Sequence, residues 1–115
     1  MRRLLAMAAL LLLSGCATGH PVVLGNAPAG SPETVAGLRR EPAGEVRMVS
    51  GVMVEKCPVA GCWFDLRDST GTLRVSTKDA GFAVLDVPLG ARVRVAGRIR
   101  QSGSEASLDA TGLQY

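Results

Sequence analysis

Glu45-Val46-Arg47-Met48-Val49-Ser50-Gly51-Val52-Met53-Val54-Glu55, residues 45–55, is the stretch whose reading decides the fold. Two interleaved sets run through it with a period of two, the signature of a strand whose successive side chains face opposite ways. Val46, Met48, Ser50, Val52 and Val54 form one set; Arg47, Val49, Gly51, Met53 and Glu55 form the other. A strand this long rarely stays flat, and Gly51 at its centre predicts a bend or bulge. Bent there, one strand can serve both halves of a barrel.

Working outward, the same period returns four times. Cys62, Phe64 and Leu66 alternate with Trp63, Asp65 and Arg67, with the first set expected inward. Asp68-Ser69-Thr70-Gly71 reads as a turn. Leu73, Val75 and Thr77 then alternate with Thr72, Arg74 and Ser76. Residues 78–88 break the pattern and predict a short helix or loop that buries Phe82 and Leu85. Val93, Val95, Gly97 and Ile99 alternate with five outward positions, and a last strand is expected over about 105–114 with Leu108 and Ala110 inward. Three strands, a helical or irregular connection and two strands make the connectivity of a five-stranded OB-fold barrel, an all-β class.

Upstream, Ser31-Pro32-Glu33 has the chemistry of a helix start, and Val35 and Leu38 share a face. A short helix is predicted over about 32–40, ended by Pro42 and Gly44. Residues 16–30 hold Gly19, Pro21, Gly25, Pro28 and Gly30 with no apolar period, and read as a tether with a coil reach of roughly 20 Å. The folded domain is therefore expected over 31–115. Arg2 and Arg3 precede an apolar run from Leu4 to Leu13, too short for a permanent span and suited to an export signal over 1–15. The run ends in Leu13-Ser14-Gly15-Cys16, which resembles the lipobox of bacterial lipoproteins. That resemblance implies acylation of the Cys16 sulfur and cleavage before it. Ala17 in place of Asp implies sorting to the outer membrane, with the protein facing the periplasm.

At 115 residues the chain has room for one domain. Arg2 and Arg3 are two of its 13 basic residues, so the expected mature chain keeps 11 against 10 acids. That balance predicts no nucleic-acid or other polyanionic partner. With His20 as the single histidine, placed in the tether, no Ser/His/Asp set can form, and no enzyme is expected.

Two cysteines remain beside Cys16. Cys57 and Cys62 flank a loop with Pro58 and Gly61, and outside the cytoplasm a neighbouring pair reads first as a disulfide. The alternative is a two-thiolate copper or zinc site, with Met53 adding a thioether. Trp63 and the stripe Arg92, Arg94, Arg98 and Arg100 are the candidate binding surface. The bland alternative is a solvated arginine face partly paired with Asp65, Asp68 or Asp109.

Residues from about 45 to 100 resemble a bacterial family of small exported OB-fold domains, the domain-of-unknown-function family 4920. The match runs through Val49-Ser50-Gly51-Val52, the Cys57-x4-Cys62-Trp63 block with Gly61, Leu66, Asp68, Arg74-Val75, Lys78-Asp79, Gly81-Phe82 and Val93-Arg94-Val95-Ala96-Gly97. The segment from Leu85 to Pro88 departs from it. The resemblance implies the barrel and the cysteine–tryptophan block, and carries no established activity.

Overall fold

A computed structural model describes residues 21–115. The signal segment, Cys16 and His20 lie outside the described residues. The alternating stretch is β2 (Val46–Lys56), which follows a short β1 (Val23–Gly25) and a single helical turn, α1 (Val35–Leu38). After it come β3 (Trp63–Asp68), β4 (Gly71–Ser76), β5 (Arg92–Ser102) and β6 (Glu105–Gln114). β2, β3 and β4 form an antiparallel meander. β4 then meets β6 in parallel, β6 runs antiparallel to β5, and β5 closes on β2. The result is a closed five-stranded mixed barrel of OB-fold type with β1 added outside it.

Closure depends on β2 changing partners. Residues Val46 to Val52 pair with β5, whereas Val52 to Lys56 pair with β3, so Val52 is bonded into both ladders. Gly51 sits beside this crossover, where a Cβ would lie 2.5 Å from the Arg67 carbonyl oxygen and 2.7 Å from Leu66. The expected bend is therefore real, and its cause is the approach of β3 across the strand. A bulge follows, with Val54 the extra residue between the Met53–Leu66 and Glu55–Asp65 pairs. β6 repeats the device: Thr111 is extra between the pairs Ala96–Gly112 and Gly97–Ala110, and Gly97 packs against the Asp109 carbonyl.

The interior is filled by the alternate sets that the period of two defines. Val49 and Met53 from β2, Phe64 and Leu66 from β3, and Leu73 and Val75 from β4 are fully buried. Val93 and Val95 from β5 and Leu108 and Leu113 from β6 complete the set. α1 plugs one end with Val35 and Leu38, both at zero exposure. Its orphan amides are met by the β3–β4 turn: Val35 N–H donates to Asp68 Oδ2 at 2.9 Å and Ala36 N–H to Thr70 Oγ1 at 3.0 Å.

Three expectations need correction. The helix is one turn capped by Thr34, whose hydroxyl accepts from Gly37 N–H at 2.9 Å, and it spans far less than 32–40. The reason is that Glu33 N–H is committed to the Met48 carbonyl at 2.7 Å, which holds Glu33 in a bridge beside β2. The tether does not reach residue 30, because β1 pairs with Gly112–Gln114 of β6 and the folded unit begins by Val22. Three residues are too few to show a period; the open edge of β6 makes them a strand. The 78–88 connection takes the irregular one of its two expected forms, but Val84 and Val87 are its fully buried residues. Phe82 is half-buried, while Leu85 is 48% exposed. Lys56 sets that choice by donating its ammonium protons to the carbonyls of Val84, Leu85 and Val87, which holds the connection over the barrel mouth.

Gly51→Ala and Gly97→Ala are each expected to cost about 1 to 3 kcal/mol, the usual effect of forcing atoms into a filled site. Urea unfolding followed by circular dichroism measures both, with Ser104→Ala expected to move the midpoint by no more than a few tenths of a kcal/mol.

Candidate functional site

The outer face of the β3–β4 hairpin gathers the most chemistry. Its register runs from Asp68–Gly71 at the turn, so Asp65 lies directly opposite Arg74 and Trp63 opposite Ser76. Asp65 and Arg74 form a salt bridge, Nε to Oδ1 at 2.6 Å, with a second bond from the guanidinium at 3.4 Å. Hydrogen-bonded to that carboxylate, the Arg74 guanidinium titrates even higher than an ordinary arginine. Its carbon also sits 3.9 Å from the centre of the Trp63 ring, so one cation is held by a carboxylate and an aromatic face at once.

Beside this cluster lies an open groove of about 420 Å³ lined by Arg39, Asp65, Thr72 and Arg74 and, from the β5–β6 hairpin, by Ser102, Glu105, Ala106 and Ser107. A smaller recess of about 190 Å³ continues along the β4–β6 seam, between Ser76, Lys78 and Asp79 on one side and Arg100 and Asp109 on the other. Ser107 lines both. The walls carry both signs of charge and several hydroxyls, so they can donate to and accept from a polar ligand.

The expected arginine stripe divides. Arg92, Arg94, Arg98 and Arg100 are all exposed on β5, as alternation required. Arg100 is paired with Asp109 at 2.6 Å and so joins the β4–β6 recess. Arg98 donates to the Gly44 carbonyl at the opposite side of β5. Asp65 is taken by Arg74, and Asp68 by α1 and its own turn, so neither serves the stripe. Of the stripe, Arg100 alone lines the groove or the recess described above.

Cys57 and Cys62 come together at the β2–β3 loop. Their strands are zipped to the base of it, where Cys57 N–H donates to the Trp63 carbonyl at 3.0 Å. The loop turns on Gly61 N–H donating to the Cys57 carbonyl at 3.2 Å. Gly61 has a φ of +60°, and its carbonyl accepts from the Thr77 hydroxyl and from Val84 N–H. Both thiols are free and half-buried. The amides of Ala60, Cys62 and Val59 and the Cys62 side chain hydrogen-bond the Cys57 sulfur and bring its pKa down to about 6. Cys62 shifts the other way, because it donates to Cys57, is partly desolvated and faces that sulfur's charge. The lone sequence signal for this asymmetry was the loop itself, since the donors are backbone groups.

Met53 does not join these sulfurs. It is fully buried in the barrel core, so the copper or zinc alternative loses its thioether ligand. Among the described residues no group of three or more His, Cys, Asp or Glu side chains is placed to hold a metal ion.

No family model matches the chain, and no curated protein does. Among solved structures, the chain is similar to the structure of the hypothetical protein ygiW from E. coli, at 18% identity and a TM-score of 0.58. The match covers 75% of this chain and 90% of that one. It supports the barrel and nothing finer.

Trp63 is the single tryptophan, so its emission reports on the cluster directly. Arg74→Ala is expected to raise acrylamide quenching of Trp63 while costing no more than about 1 kcal/mol, because the pair is partly exposed. Unchanged quenching would contradict the stacked geometry.

Proposed function

We propose that this chain is a lipoprotein of the cell envelope, anchored through acyl chains on Cys16 to the periplasmic side of the outer membrane, whose barrel is a non-enzymatic binding module. The observation that carries the binding role is the Trp63–Arg74–Asp65 cluster bordering the 420 Å³ groove. OB-fold barrels use this same strand face and its flanking loops for ligands. Arg74 needs no reorganisation to meet an incoming group, since Asp65 and Trp63 already hold it. Preorganisation of that kind lowers the entropy lost on binding. The groove's mixed charges and hydroxyls suit a polar ligand with both donors and acceptors.

The anchor reading rests on the Leu13-Ser14-Gly15-Cys16 motif. Only six residues separate Cys16 from β1, so even a fully extended connection keeps the barrel within roughly 25 Å of the acylated residue. A ligand presented near the bilayer surface fits that reach.

Cys16→Ser is expected to abolish incorporation of labelled palmitate and leave an unprocessed precursor, and continued labelling would sink the anchor. For the module, a photoreactive residue replacing Thr72 is expected to crosslink a ligand in intact cells, whereas the same residue replacing Arg92 on β5 is not. Equal crosslinking at both positions would place the binding face elsewhere.

A further inference from the structure

The Cys57–Cys62 loop has features that a purely structural corner does not need. The barrel is already closed around it by main-chain bonds: Cys57 to Trp63, Thr77 to Cys62 and Val84 to Gly61. A bridge between residues five apart would add little constraint to that frame. The two sulfurs occupy unlike surroundings. Cys57 lies where the chain curls back, its N–H donating to the Trp63 carbonyl at 3.0 Å and its carbonyl accepting from Gly61 N–H at 3.2 Å, which brings the two cysteines to the base of one short loop. The backbone amides of Ala60, Cys62 and Val59 lower the Cys57 pKa to about 6, which favours thiolate over thiol. Cys62 stands beside it as the donor to that sulfur. The loop tip is also apolar and open. Val59 is 84% exposed, with Pro58 and Ala60 exposed on either side. Leu85, 48% exposed, touches the Gly61 position just before Cys62. An apolar rim around a thiol pair suits contact with another polypeptide.

We propose that Cys57 and Cys62 are an exchangeable dithiol–disulfide pair that acts on disulfides of partner proteins, with Cys57 the attacking sulfur and Cys62 the resolving one. The Cys57 thiolate attacks one sulfur of the partner's disulfide. That S–S bond breaks, a Cys57–partner bond forms, and the released partner thiolate takes a proton from water. Cys62 then loses its proton to solvent and attacks the Cys57 sulfur. A Cys57–Cys62 bond forms, and the second partner sulfur leaves and is protonated. The partner gains two electrons and this pair loses two; a partner dithiol running the steps in reverse restores it. A thiol that is ionised near ambient pH is well matched to this exchange. This site is separate from the β3–β4 groove, so its chemistry stands or falls apart from the binding role.

The test uses the full-length chain extracted in detergent and reduced beforehand, with dithiobis(nitrobenzoate) as the small probe. Cys62→Ser is expected to release one nitrothiobenzoate quickly and remain as a mixed disulfide, at a rate that holds to lower pH than that of an ordinary thiol. Cys57→Ser is expected to react at least tenfold more slowly at neutral pH. With the Cys16 sulfur blocked by its acyl group, the unsubstituted protein should release two equivalents and finish two hydrogens lighter; this count rests on the anchor proposed above. In glutathione buffers of graded ratio, the pair should interconvert reversibly. Val59→Asp should slow reduction of insulin disulfides several-fold, and an unaltered rate would overturn the assignment to protein substrates. Equal slow rates for both serine variants would overturn the proposal. So would a bridge that stays closed across all glutathione ratios, or thiols that react only after a strong chelator is added. Circular dichroism of each variant confirms that a slow rate is not a folding defect.

Discussion

The double hydrogen bonding of β2 at Val52 is the constraint on which the rest of this molecule depends. One edge of the strand serves β5 and the other serves β3, and the two ladders overlap at that residue alone. Such sharing requires the strand to bend sharply, and the absence of a side chain at Gly51 lets the Arg67 carbonyl approach as it bends. Were β2 straight, β5 would have no partner on that side and the sheet would stay open. Closure also lets alternate residues of five strands meet inside, which is how a chain with few aromatics fills its interior: Val and Leu do most of the filling.

Each candidate site inherits its geometry from that closure. Because β2 ends against β3, the Cys57–Cys62 loop is pinned at the barrel mouth, and the Lys56 ammonium fastens the 84–87 segment over it. Because β4 meets β6 in parallel, the Trp63–Arg74–Asp65 face runs on into the seam that holds Asp109 and Arg100. The two sites use different physics. At the hairpin face, side chains of opposite sign hold one another in place. At the loop, main-chain amides act on a sulfur, and side-chain identity matters less than the path of the chain.

That difference also explains what was legible from residues alone. Period-two patterning disclosed the strands, their order and the bend at Gly51, because burial on one face imposes that period directly. Phe64, Leu66, Leu108 and Ala110 point inward for the same reason. The Asp65–Arg74 pair is legible too, since counting outward from the Asp68–Gly71 turn sets them opposite each other. By contrast, β1 has three residues and no pattern, and exists because β6 offers an open edge. The burial of Val84 and Val87 in place of Leu85 follows from a lysine 28 or more residues earlier, a long-range contact no local period records. The opposite shifts of Cys57 and Cys62 arise from amides, which every residue carries and which leave no mark in composition.

Native-state hydrogen exchange followed by NMR tests the shared strand most directly. If β2 is the common member of both ladders, the protected amides of Val46 to Val52, of Val52 to Lys56 and of β5 should open together. Their opening free energies should agree with one another and with global unfolding to within about 1 kcal/mol. Opening of the β2–β5 ladder well below the β2–β3 ladder would contradict the account, because it would show a meander that holds together without the closed barrel.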